Sequence, residues 1–109
     1  NVAVDLCWAW SINPYVAVDF VRSYIHTAPA NKLFIFGGDT HLPVATLAYS
    51  RQARAWLTRA LQAEVNDGLL SEAEAISLAE RFMMINQTEY FALDRKKATL
   101  RQLASQVPS

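Results

Sequence analysis

The sequence predicts an α/β fold in which two parallel strands alternate with helices, as in the last two strand-helix units of a (β/α)8 barrel followed by C-terminal helices. Three observations carry this. VAVDLCWAW at 2–10 and KLFIF at 32–36 are short β-branched and aromatic runs, the composition of strands buried on both faces. The stretch between them has room for a helix, so the pair should run parallel in a right-handed βαβ unit. Two strands leave faces and edges uncovered, so neighbours must come from elsewhere. They belong either to a barrel of about 250 residues, roughly 30 per unit, or to other copies of the chain. Asn1 in place of an initial Met favours the barrel.

Each element has a local reason. In the first strand the period of two sets Val2, Val4, Leu6 and Trp8 on one face and Ala3, Asp5 and Cys7 on the other, and the bulky face should meet helices. Asn13-Pro14 is a helix start: Asn accepts from first-turn amides, and Pro there has no amide to lose. That helix should run to about Thr27, with Pro29 helping to stop it. KLFIF breaks at Gly37-Gly38-Asp39-Thr40-His41. Pro43 opens a long helix to about Asn66, with Ala53, Trp56, Leu57, Ala60, Leu61 and Val65 as its apolar stripe and Gly68 as its cap. Ser71 and Glu74 form a capping box for a further helix reaching Tyr90 and Phe91. Residues 94–109 are expected as a polar, basic tail, a short helix or a loose end.

Composition narrows the function. Of 109 residues, 52% are hydrophobic and 18% charged, with ten Lys and Arg against ten Asp and Glu. That balance gives no electrostatic case for a nucleic-acid or acidic-membrane partner. No apolar run approaches the roughly 20 residues that span a bilayer. The lone Cys7 excludes an internal disulfide and any CxxC motif, and fits the cytoplasm.

The phrase FGGDTHLP at 36–43, a strand ending in a glycine-flanked aspartate, resembles the eighth-strand motif of amidohydrolase-superfamily TIM barrels. The preceding VDLCWAWSINPY and PANKLFIF, the long helix, and the closing LSEAEAISLAERFMMINQTEYFAL with its NxxxxF-type ending extend the resemblance over residues 1–93. It implies the C-terminal portion of a metal-dependent hydrolase, or of a related lyase such as a decarboxylase. It also implies a small-molecule substrate and a divalent metal, zinc being expected. Asp39 takes the position of the family's eighth-strand aspartate, a metal ligand, a proton acceptor from metal-bound water, or both. Bound zinc lowers the pKa of its water to about 7, and a nearby carboxylate takes the proton. The family's His-x-His pair and its mid-strand Lys or His ligands have no counterpart here. Zinc needs three or four ligands, so the fragment alone is expected to be inactive and to depend on the rest of the barrel.

Plainer roles compete. Asp39 would equally suit a helix N-cap. His41 is a candidate for touching substrate, against an ordinary hydrogen-bonded loop histidine. Trp10, and less so Trp8, would line a pocket at the strand's carboxyl end, against plain core packing. His26 suits a helix C-terminus. Asp5, costly to bury alone, should find a partner. A rival class of function is a non-catalytic α/β interaction domain that assembles, as a homo-oligomer or on a partner, through strand edges and apolar helix faces.

Overall fold

The computed structural model describes residues 2–106. Strand β1 (Val4–Asp5) leads through a turn into a single helical turn, α1 (Ala9–Ile12), and then α2 (Pro14–Thr27). A 3-10 turn (Ala30–Lys32) enters β2 (Leu33–Phe34), and the long α3 (Pro43–Asn66) follows. Helix α4 (Glu72–Glu80) passes through a π-helical turn (Arg81–Ile85) into α5 (Asn86–Tyr90), and α6 (Leu93–Ser105) closes the described chain.

The barrel expectation does not hold. The fold is 73% helical, and among the described residues its only sheet is one parallel pair, Val4 opposite Leu33 and Asp5 opposite Phe34, extended by the Leu6 amide donating to the Phe34 carbonyl. This is a small, mostly helical domain rather than two units of a (β/α)8 barrel. The parallel orientation matches the sequence reading; the extent of the strands does not. Trp8 turns into left-handed backbone (φ 43°), and Ala9–Ile12 coil into α1. A strand persists only where a neighbour takes up its backbone groups. Here only Leu6 and Trp10 of the run are buried, in the core shared with the helices, while Val2 and Trp8 are exposed; composition alone does not separate such a segment from a paired strand.

The local signals correspond well to the helices. Asn13 Oδ1 accepts from the Val16 amide at 3.2 Å, with Pro14 in the first turn. Ser71 and Glu74 form the reciprocal capping box, and Gly68 has φ 72°, where glycine carries no Cβ penalty. Helices α2 and α3 pack over one face of the pair and bury Leu6, Trp10, Val21, Ile35, Ala53, Leu57 and Ala60 with Phe82.

Three polar devices lock the helices. Glu64 of α3 is 1% exposed; its Oε1 accepts from Arg22 Nε at 2.5 Å and its Oε2 meets His26 Nε2 at 2.5 Å, both from α2. Arg22 also pairs with Asp67. Asn86, equally buried, donates from Nδ2 to the carbonyls of Ala30 and Leu33, 2.7 Å each. In the π-helical turn the Asn86 amide bonds to the carbonyl of Arg81, five residues back. Phe34, on the opposite face of the sheet, lies against Tyr90 and Phe91 at ring separations of 5.2 and 5.8 Å.

The expected tail at 94–109 is helical as far as Ser105, and 107–109 lie outside the described residues. Helix α6 packs chiefly on α5 and buries none of its residues. Among the described residues no helix is long and apolar enough to cross a membrane.

Candidate functional site

The carboxyl ends of the two strands bring together Asp5, Cys7, Trp8, Gly37 and Asp39. In sheets with parallel strands this is the end at which ligands are bound. Asp5 turns its Oδ1 to the Cys7 amide at 2.7 Å, and the Cys7 thiol donates to the Gly37 carbonyl at 3.2 Å. The fit at Gly37 is close: a Cβ there would stand 2.9 Å from both Cβ and Sγ of Cys7. Burial pushes the Cys7 thiol pKa up, and the Asp5 and Asp39 carboxylates add to the effect, so the thiol stays protonated at neutral pH.

Asp39 is exposed and has φ 33°; Trp8 is 41% exposed and has φ 43°. They are two of only three non-glycine residues with positive φ among those described, and they are joined directly. Trp8 Nε1 donates to Asp39 Oδ2 at 2.8 Å, while Tyr49 of α3 braces the indole at a ring separation of 4.9 Å. Each left-handed residue costs about 1–3 kcal/mol, which persists only where the surroundings hold it. Asp39 does not cap the next helix. Leu42 stands at the N-cap of α3 without a side-chain bond, and the Leu42 amide donates to Thr40 Oγ1.

His41 is exposed on the bend two residues beyond Asp39. Trp10 sits on α1, 3% exposed, its indole donating to the Ile35 carbonyl at 2.8 Å. Together with Trp8, Phe36 and Tyr49 it encloses a space of only about 10 Å³, room for one water. The structure thus joins Asp39 to Trp8, a pairing across 31 residues that strand alternation does not reveal. His26 lies away from this site, paired with Glu64. Among the described residues, no three of His, Cys, Asp and Glu gather closely enough to hold a metal ion. They therefore fall short of the three or four ligands that the expected zinc needs.

No protein-family model, curated protein or solved structure matches the chain.

Proposed function

We propose that Asp39 is the catalytic carboxylate of a hydrolytic site, the proton acceptor for an attacking water, in a metal-dependent hydrolase resembling the amidohydrolase superfamily. The observation that carries the reading is the strained Asp39–Trp8 pair at the carboxyl end of the parallel strands. The indole engages Oδ2 and fixes the plane of the carboxylate, so Oδ1 is the oxygen that takes a proton from water. Exposure of Asp39 gives substrate access. A carboxylate held in this way, outside any capping role, is typical of a positioned base. The described residues contribute one ligand to a metal; the ion and the rest of its shell require groups beyond them, and the base role of Asp39 is framed without it.

The test is Asp39→Asn in the full-length gene product. Asparagine keeps an acceptor for the Trp8 indole and tolerates left-handed backbone, so the fold should be retained while the base is lost. Hydrolysis of a panel of simple amides and esters in zinc-supplemented buffer should fall by about 10²–10⁴-fold. Unchanged turnover in the variant refutes the assignment.

A further inference from the structure

We infer that one row of α3, Thr46, Tyr49 and Gln52, positions the Asp39 carboxylate by clamping the two segments that carry the Asp39–Trp8 pair. The inference rests on Asp39 being the base and adds the residues that hold it in place. The three residues follow one another at i, i+3 and i+6, which sets them along a single ridge of the helix surface. Each meets a different point of the site. Thr46 lies against Gly38, so closely that a Cβ there would stand 3.3 Å from Thr46 Oγ1. Tyr49 packs on Trp8 with ring centroids 4.9 Å apart and planes at 59°, within the separations at which aromatic pairs attract. Gln52 Oε1 accepts from Ser11 Oγ at 2.7 Å.

The register of these contacts makes them a clamp. Trp8 and Ser11 are three residues apart, like Tyr49 and Gln52, and belong to one turn in which the Ser11 amide donates to the Trp8 carbonyl at 3.0 Å. Two rungs therefore join that turn to α3, and the Thr46 contact joins residues 37–39 to the same helix.

The carboxylate needs such support. Asp39 and Trp8 are both exposed and both hold left-handed backbone, and among the described residues no ion pair reaches Asp39. Backbone of this kind persists only where neighbours hold it. On its inner side the indole has nowhere to retreat, because the space it borders is about 10 Å³, filled by one water. The α3 row touches the pair and its neighbours rather than any substrate, so its members are positioning residues that act through Trp8 and Gly38.

Two readouts on the full-length gene product test this, one kinetic and one spectroscopic. Loosening the clamp displaces the base while the substrate keeps its own contacts, so kcat for the amides and esters hydrolysed by wild type should fall and KM should stay within about twofold. A 1 Å misplacement costs up to about 100-fold, and Tyr49→Ala should cost about tenfold. Gln52→Ala removes one exposed hydrogen bond, should keep the native circular dichroism spectrum, and should cost about threefold. Tyr49→Phe keeps the ring and should recover most of kcat. Because Tyr49 acts through the indole, Tyr49→Ala should cost no further kcat in a Trp8→Phe background. In 15N-labelled protein the Trp8 indole proton, identified by its loss in Trp8→Phe, should exchange with water at least about threefold faster in Tyr49→Ala and in Gln52→Ala. Additive losses of kcat, a rise in KM alone, or indole exchange at the wild-type rate in both variants overturns the inference. Faster exchange together with unchanged turnover in Asp39→Asn upholds the clamp on the pair and refutes only the base assignment.

Discussion

Replacing Glu64 by glutamine removes the one buried charge on which two residues of α2 converge, while keeping its volume. Removing one member of a buried ion pair typically costs about 3–5 kcal/mol, because the other charge is stranded. Here the stranded partners reach water, since the side chains of Arg22 and His26 are 31% and 42% exposed. Arg22 also keeps Asp67. The loss is then closer to that of a charge-assisted hydrogen bond, about 1.5–2 kcal/mol, or a fall in Tm of roughly 6–16 °C at about 4–8 °C per kcal/mol. The pH dependence is specific. Burial alone would raise the Glu64 pKa, but the hydrogen bonds from Arg22 and His26 outweigh it and hold the carboxyl below its ordinary value. A depressed folded-state pKa contributes stability that is present above the unfolded value, about 4.3, and lost as pH falls through the folded one. Urea denaturation at pH 7 should therefore separate wild type from Glu64→Gln by the full amount, and the gap should close steadily below about pH 4. A gap that persists undiminished at pH 3, or none at pH 7, refutes this account of the α2–α3 lock.

Other expectations are as direct. Gly37→Ala drives a Cβ to 2.9 Å from Cys7 and should cost about 1–3 kcal/mol; in a Cys7→Gly background most of that cost should vanish in a double-mutant cycle. Asn86→Ala strands one buried carbonyl, of Leu33, and one part-buried carbonyl, of Ala30, and should lose about 1–3 kcal/mol in urea titrations, against about 0.5 kcal/mol or less at exposed Gln102. The Cys7 thiol should react with iodoacetamide at pH 7 more slowly than a free thiol, and faster once Asp5→Asn removes one of the charges that raise its pKa; equal rates in both proteins would exclude the electrostatic contribution.

The helices were legible because their signals are local. Asn13-Pro14, Pro43, Ser71 with Glu74, and Gly68 each act within one turn, and each does in the structure what its chemistry requires. The strands were not. VAVDLCWAW has strand composition, but its fate depends on whether anything pairs with it, a fact held by residues far away. Only two residues of that run are strand, while Trp10 points its indole back at Ile35 from a helical turn. The site was half legible: Asp39 stands out beside its glycines, but Trp8, its hydrogen-bond donor, is recognisable only once left-handed backbone at both positions brings them together. Glu64 and Asn86 gave no sequence signal either, since a buried polar residue in a helix is marked only by partners 38 to 56 positions away.

The π-helical turn at Arg81–Ile85 is, in effect, one residue more than an α-helix would use. Deleting a single residue there would restore uninterrupted α-helical hydrogen bonding and so improve the segment taken alone. The same deletion would rotate everything beyond it by about 100°, a single residue's share of a 3.6-residue turn. Asn86 would swing off the Ala30 and Leu33 carbonyls, and Tyr90 and Phe91 would leave Phe34 uncovered. Length variants of this protein should therefore keep the residue count between Glu80 and Phe91 fixed.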